Sequence, residues 1–158
     1  MDANQLYQQI RAKKSFLCVG LDTDVRKIPL SLTSKGKHDA VFEFNKAIID
    51  ATADLCVAYK PNMAFYEVNG ARGWDSLAHT VQYLREHHPE IMIIADAKRG
   101  DISNTASMYA KSMFDSMDFD AVTIAPYMGR DAVQPFLEYQ GRWAVLLAVT
   151  SNESWNDF

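Results

Sequence analysis

Three charged residues directly follow an apolar segment of strand length, and their types could bind a carboxylate or move a proton. Residues 91–95 (Ile-Met-Ile-Ile-Ala) lead into Asp96, Lys98 and Asp101, with Gly100 allowing the chain to turn. Because side chains alternate along a strand, Asp96 and Lys98 project to the same face, and the turn brings Asp101 back within reach. The pattern predicts an acid, a base and a second acid in one small volume.

Such crowding requires pairing, since a buried ion is stable only with partners and hydrogen bonds. Two carboxylates beside one ammonium satisfy that condition. Each residue also has a purely structural interpretation. Asp96 and Lys98 can form an ordinary ion pair at a strand end, and Asp101 can cap a helix that begins near Ile102.

The elements that must position these residues repeat along the chain as strand, loop and helix. Apolar runs at 16–21, 55–59, 91–95, 121–126 and 143–149 predict five strands, and amphipathic helical patterns follow the first four. Polar side chains follow four of the strands: Asp22, Lys60, Asp96 with Lys98, and Ser151 after Thr150.

This alternation predicts a parallel sheet covered by helices, because parallel strands need crossovers and are buried on both faces. No Gly-x-Gly-x-x-Gly follows the first strand and no P-loop is present, so the usual evidence for a nucleotide-binding open sheet is missing. Polar residues at the ends of successive strands instead favour a (β/α)8 TIM barrel. Residues 1–158 are expected to form a single domain.

Composition narrows the function classes. The 158 residues are 48% hydrophobic and 23% charged, with a net charge of -4, which indicates a soluble globular protein. We expect no nucleic-acid partner, since no basic cluster is present. No signal peptide or membrane-spanning segment is apparent.

The cysteines and histidines predict neither disulfides nor a metal site. Cys18 and Cys56 lie in apolar runs without a Cys-x-x-Cys pair, so we expect reduced core thiols in a cytoplasmic protein. The four histidines fall on helical stretches or at their polar ends and are expected at the surface: His38, His79, His87 and His88.

The motif Asp96-Ala97-Lys98-Arg99-Gly100-Asp101, with Asp22 after the first strand and Lys60 after the second, resembles the orotidine 5'-phosphate decarboxylase family. Residues 60–67 (Lys-Pro-Asn-Met-Ala-Phe-Tyr-Glu) are similar to its longer bacterial subgroup. The resemblance runs from the first strand to Ser151. It implies decarboxylation of orotidine 5'-phosphate to UMP, the last step of de novo pyrimidine synthesis, without any cofactor or metal.

The resemblance also implies roles for individual residues. Lys98 would stabilise the charge on C6 and protonate it, Asp96 would face the substrate carboxylate, and Lys60 and Asp101 would complete an alternating charge network. Asp22 would bind ribose hydroxyls and Ser151 the pyrimidine. The family forms homodimers, in which the residues matching Asp101 and Thr105 reach the partner's site.

The chain departs from the family in length, since members are eight-stranded barrels of about 250 residues and this sequence supplies the first five units. The family's phosphate-binding residues lie in the later strands, so the 158 residues alone are expected to be inactive.

Three alternatives remain open. A related Mg²⁺-dependent sugar-phosphate decarboxylase shares the Asp-x-Lys-x-x-Asp motif but has an acidic residue where this chain has Lys60. A Schiff-base aldolase would use Lys98 as a neutral nucleophile. A half-barrel could serve only as a folding or dimerisation module.

Overall fold

A parallel sheet of five strands forms the frame of the molecule. The computed structural model describes residues 1–33 and 39–157, so Gly36 and His38 lie outside the described residues. The strands are β1 (Leu17–Gly20), β2 (Cys56–Lys60), β3 (Met92–Arg99), β4 (Ala121–Ile124) and β5 (Trp143–Leu146). They pair in chain order, and every pairing is parallel.

Helices connect the strands as the alternating pattern predicts. They are α1 (Ala3–Lys13), α2 (Leu30–Thr33), α3 (Ala40–Thr52), α4 (Met63–Glu67), α5 (Ala71–His87), α6 (Ser103–Lys111) and α7 (Arg130–Leu137). A π-helical turn, Ser112–Ser116, continues α6. The amphipathic helices expected after the first four strands correspond to α3, α5, α6 with its π turn, and α7.

Three further helices escaped the sequence pattern: α1, α4 and the four-residue α2. α1 buries no residue, and a capping box between Asp2 and Gln5 begins it. α4 is only five residues long and begins at Asn62, whose side chain accepts a hydrogen bond from the Ala64 amide. α1 and α4 are specified by their end residues rather than by periodicity.

The two faces of the sheet pack differently, because successive side chains point to opposite sides. Tyr59, Ile93 and Val122 belong to the large cluster of buried residues shared with the helices. The alternate positions Ala58, Met92 and Ala121 form a separate, smaller cluster on the other face. Continuing the same period along the strands carries Lys60, Asp96 and Thr123 onto the side of the smaller cluster.

The edge strands differ from the expectation of strands buried on both faces. Within the described residues, β1 pairs only with β2 and β5 only with β4. Leu17 and Leu146 are almost half exposed as a result. Cys18 is also exposed, so the expectation of a core thiol is wrong for Cys18 and holds only for Cys56. An edge position in the sheet, which no residue pattern encodes, accounts for the difference.

The fifth strand is also shorter than predicted. It ends at Leu146 instead of continuing to Val149, although the Leu147 amide still donates to the Ile124 carbonyl. Ser151 therefore lies five positions past the strand end rather than at its tip. β4 ends at Ile124, which pairs with Leu146, so β5 has no strand partner to extend along and composition alone overestimated its length.

A buried carboxylate holds the opposite, amino-terminal end of the sheet together. Asp120 Oδ1 accepts a hydrogen bond from the Met1 ammonium at 2.9 Å, and Oδ2 accepts from Arg85 Nη2 and from the Ile93 amide, each at 2.9 Å. Burial raises the pKa of Asp120, but the Ile93 amide and the positive charges of Arg85 and the amino terminus lower it further, so it lies below its usual range. Asp120 is thus held ionised at the base of β4.

No described helix combines the length and the apolar character needed to cross a lipid bilayer. Cys18 and Cys56, which were expected to be reduced, are both free thiols. His79 and His87 are exposed and His88 is partly exposed, as expected from their helical positions.

The exposed edges predict that the 158-residue polypeptide, when isolated, self-associates. Open strand edges with apolar side chains pair readily with other chains. Sedimentation velocity over a range of concentrations should show oligomers. Leu17→Lys combined with Leu146→Lys should shift the population towards monomer, because charged side chains oppose edge pairing.

A matched control is Val68→Lys, which charges a residue that is 79% exposed after α4 and outside every strand. It should leave the oligomer distribution unchanged. A wild-type chain that stays monomeric at all concentrations would contradict the prediction.

Candidate active site

Charged side chains lie together where β2 and β3 reach their carboxyl ends. Lys60 is the last residue of β2 and is in register with Gly20 of β1. Its carbonyl accepts a hydrogen bond from the Leu21 amide at 3.2 Å, which joins the start of the Asp22 loop to the same edge. On β3, the Asp96 amide donates to the Pro61 carbonyl at 3.0 Å. Backbone hydrogen bonds therefore fix the spacing of these strand ends.

The carboxylate of Asp96 lies between two ammonium groups. Lys60 Nζ is 3.0 Å from Asp96 Oδ2, and Lys98 Nζ is 2.5 Å from Asp96 Oδ1. Asp96 is largely buried, with 11% of its side chain exposed, whereas Lys60 is one-third exposed and Lys98 about half exposed. The structure thus brings together Lys60, Asp96 and Lys98, with the anion at the centre.

The pKa values of this array follow from its contacts. Burial raises the pKa of Asp96, but hydrogen bonds from Lys98 and Lys60 outweigh burial and lower it below the usual range. Burial lowers the pKa of Lys60, but the hydrogen bond and charge of Asp96, with the charge of Asp22, raise it overall. Asp96 is therefore ionised and Lys60 is protonated at neutral pH.

The backbone of β3 departs from regular strand geometry at Lys98. Lys98 has φ 48°, a left-handed conformation that residues other than glycine seldom adopt. Ala95 pairs with Val122 and Arg99 with Ile124, so three residues of β3 lie opposite the single residue Thr123. Strain of this kind concentrates at functional sites.

Thr123 is a site residue that the sequence reasoning missed. It is buried, and its hydroxyl lies 3.1 Å from Asp96 Oδ1 and within hydrogen-bond distance of the amides of Ala97 and Lys98. The only sequence signal was its place in β4, two residues after Ala121 and hence on the same face of the strand. A threonine in a strand is common, so that signal alone could not single it out.

Arg99 and Gly100 connect the strained residue to its neighbours. The Arg99 guanidinium binds the Glu67 carboxylate and lies over the Tyr109 ring, with 5.2 Å to the ring centroid. A Cβ on Gly100 would come within 2.7 Å of the Ala125 carbonyl oxygen, so glycine allows the close approach between the end of β3 and the end of β4.

The other predicted site residues lie outside the central array. Asp101 Oδ1 accepts a hydrogen bond from the Ile102 amide at 2.8 Å, and Asp101 has no ion pair with any described residue. It is not the helix cap either, since Ile102 occupies the N-cap position of α6. The sequence interpretation of Asp101 as that cap is wrong by one residue.

Asp22, Thr105 and Ser151 are exposed and belong to three separate segments. Asp22 follows β1 and borders a cavity of about 600 Å³ that Leu21 and Phe44 also line. Thr105 lies in the first turn of α6. The charge of Asp22 acts on the array by raising the pKa of Lys60. Thr105 and Ser151 have no described contact with the array.

Among the described residues, no group of three or more His, Cys, Asp or Glu side chains has the arrangement of a metal site. The side chains closest to Asp96 are cationic or hydroxylic rather than anionic.

Comparisons with known proteins agree with one another. The family model for the orotidine 5'-phosphate decarboxylase / HUMPS family matches residues 15–158. Orotidine 5'-phosphate decarboxylases from Phocaeicola vulgatus and Parabacteroides distasonis are 58% and 60% identical to the whole chain. The structure of the Leishmania donovani OMP decarboxylase covers 98% of this chain at 39% identity, with a TM-score of 0.81.

The chain spans about 57% of the length of the Phocaeicola relative and 56% of the Parabacteroides and Leishmania proteins. The fold prediction is confirmed, since five parallel β/α units in one sheet match about half of a (β/α)8 barrel enzyme.

The central array predicts how the pKa of Asp96 responds to the loss of one cation. In Lys60→Met, the pKa of Asp96 should rise, because burial persists while one of its two ammonium partners is gone. NMR titration of the Asp96 carboxyl carbon in the variant and in the wild type measures this pKa. In the wild type, the lowered pKa makes this carboxylate stabilise the fold above its unfolded pKa, and that contribution is lost as pH falls through the folded pKa.

Lys46→Met is the matched control, since it removes a lysine that pairs with Asp50 on the surface of α3. It should leave the Asp96 titration unchanged. An Asp96 pKa that does not move in Lys60→Met would show that Lys60 is not an effective partner.

Proposed function

Because the chain belongs to the orotidine 5'-phosphate decarboxylase / HUMPS family, we propose that the protein containing these residues removes CO2 from C6 of orotidine 5'-phosphate and releases UMP. The observation that carries the proposal is the Lys60–Asp96–Lys98 array, with both lysines on one carboxylate. This reaction is the last step of de novo pyrimidine synthesis, and we assign it to the cytoplasm.

Lys98 is the group that the geometry best supports as proton donor. When the bond between C6 and the carboxyl carbon breaks, its electron pair stays on C6, and a nearby ammonium stabilises that charge. Lys98 Nζ then transfers a proton to C6 and is reprotonated from solvent. Its half-exposed side chain at a strand end can reach a ligand above the sheet.

Asp96 has two roles in this proposal. Its carboxylate pairs with Lys98 Nζ at 2.5 Å and so holds the proton donor in place. It also lies where the substrate carboxylate would bind, so loss of CO2 relieves repulsion between two anions. Lys60 offsets the Asp96 charge from the other side.

The charges around Asp96 support chemistry without a metal, flavin or Schiff base. Mg²⁺ prefers several oxygen ligands, whereas Asp96 already binds two ammonium groups, and Lys60 would repel a cation placed beside it. A Schiff base would need Lys98 Nζ free to attack a carbonyl group, whereas Nζ is bound to the Asp96 carboxylate. These contacts favour the decarboxylase over the magnesium enzyme and the aldolase.

We further propose that the protein acts as a homodimer in which Asp101 and Thr105 reach the partner's site. Both residues lie beyond the end of β3, and Thr105 is exposed. Large apolar side chains in the segments that follow β3 and β4 are also exposed: Ile102, Met108, Tyr127 and Met128. Contact with a second copy would cover them, and would give Asp101 the cationic partner that it lacks among the described residues.

Asp22 and Ser151 are proposed to bind the ribose hydroxyls and the pyrimidine, respectively. The phosphate-binding residues are proposed to lie in the part of the full-length protein that corresponds to the relatives' sequence beyond these 158 residues. Since binding energy from the remote phosphate group is needed at the reacting centre, the 158 residues alone are proposed to lack activity.

The proposed reaction is tested with the full-length gene product. It should convert orotidine 5'-phosphate to UMP, followed by loss of the substrate's ultraviolet absorbance, at the same rate with and without excess EDTA. The 158-residue polypeptide, assayed in parallel, should show no turnover. Activity that EDTA abolishes and Mg²⁺ restores would favour the magnesium-dependent alternative.

Lys98→Ala in the full-length protein should lower kcat by about 10⁴-fold or more, since proton transfer and charge stabilisation are both removed. Lys46→Ala, which removes an exposed lysine on α3, should keep wild-type kcat. Borohydride added with substrate should leave no covalent adduct on Lys98. An active Lys98→Ala protein would refute the role of Lys98, and a trapped adduct would favour the aldolase.

A further inference from the structure

We propose that the hydroxyl group of Thr123 is a positioning group that fixes Lys98 and Asp96 relative to each other. The proposal rests on the proposed decarboxylase function and assigns a role to a residue of β4, the strand next to the one that carries the charges. Thr123 contacts the Asp96 carboxylate and the backbone amides of Ala97 and Lys98.

Thr123 links the backbones of β3 and β4 where their pairing is irregular. Residues 96–98 of β3 lie opposite Thr123 alone, so the regular ladder between the two strands is interrupted there. Thr123 Oγ1 accepts hydrogen bonds from the Ala97 amide at 3.0 Å and the Lys98 amide at 2.9 Å. One side-chain oxygen thus replaces two backbone acceptors at the left-handed residue.

Thr123 also contacts the Asp96 carboxylate. Thr123 Oγ1 is 3.1 Å from Asp96 Oδ1, the same oxygen that Lys98 Nζ approaches to 2.5 Å. The other possible acceptor of the hydroxyl proton, the Ala95 carbonyl, is farther away at 3.5 Å. A hydroxyl has one proton to donate and two lone pairs, so these contacts use its full capacity.

Together these contacts connect the Lys98 backbone and the Asp96 carboxylate, the two partners of the ion pair, to the same atom, Thr123 Oγ1. Asp96 is the hydrogen-bond partner of Lys98 Nζ within the described residues, and the lysine side chain is about half exposed. The position of Nζ therefore depends on the Lys98 backbone and on Asp96, and Thr123 holds both. Small displacements of a reacting group cause large losses in rate, so this restraint should affect kcat.

The restraint is specific to Lys98. Lys60 reaches the other carboxylate oxygen, Asp96 Oδ2, which Thr123 does not contact. Loss of the hydroxyl should therefore disturb proton donation more than substrate binding. A purely structural role would instead reduce stability without separating kcat from KM.

The test compares Thr123→Val, which keeps the shape and loses the hydroxyl, with Thr123→Ser, which keeps the hydroxyl. In the full-length protein we expect Val to lower kcat about 100-fold with KM changed less than threefold, and Ser to stay within fivefold of wild type. Amide hydrogen exchange at Ala97 and Lys98 should accelerate at least tenfold in Val and stay near wild type in Ser.

Thr80→Val is the matched control, because Thr80 is also buried and its hydroxyl also forms hydrogen bonds, from Asn45 Nδ2 and to the Ser76 carbonyl. It should lower thermal stability without a selective loss of kcat and without faster exchange at Ala97 and Lys98.

Wild-type kcat in Thr123→Val, or equal losses in Val and Ser, would overturn the proposal. If Thr123→Val does not fold, Thr123→Ser decides, and a loss of kcat above tenfold would refute the hydroxyl's role. A wild-type protein inactive on orotidine 5'-phosphate would instead refute the proposed function. In that case the exchange rates still decide whether Thr123 positions Lys98.

Discussion

The structure depends on one carboxylate that must remain charged in a largely buried position. Asp96 is tolerated there because Lys60 and Lys98 approach its two oxygens from different strands. Removing either cation would leave a charge that burial makes costly. The register of β2 and β3 is therefore a requirement of the electrostatics, and a one-residue slip would turn Asp96 to the face that packs against the helices.

How much was predictable from sequence depends on which physical signal each feature carries. Strand and helix order followed from periodicity, and Asp96 and Lys98 were placed together because alternate residues share a face. The alternation argument reached that result although Lys98 is not in an extended conformation. Asp101 forms no ion pair with either lysine among the described residues; its carboxylate accepts a hydrogen bond from the Ile102 amide, just before α6 begins.

Other features depend on contacts between segments that are distant in sequence. Thr123 acquires its significance only from the unequal spacing of β3 and β4, which no local pattern records. Cys18 and Leu146 have core composition, yet their exposure depends on which strand lies beside them. The apolar character of a side chain shows that it can be buried, whereas the neighbouring strands determine whether it is buried.

The left-handed backbone at Lys98 connects these points. A lysine in this conformation costs energy, and such strain persists only where surrounding contacts over-determine it. Here Gly100 permits the end of β3 to approach Ala125. The Arg99 carbonyl accepts a hydrogen bond from the Ala125 amide at 2.7 Å. Because Thr123 accepts from the amides of Ala97 and Lys98, hydrogen bonds hold the chain on both sides of the strained residue that carries the proposed proton donor.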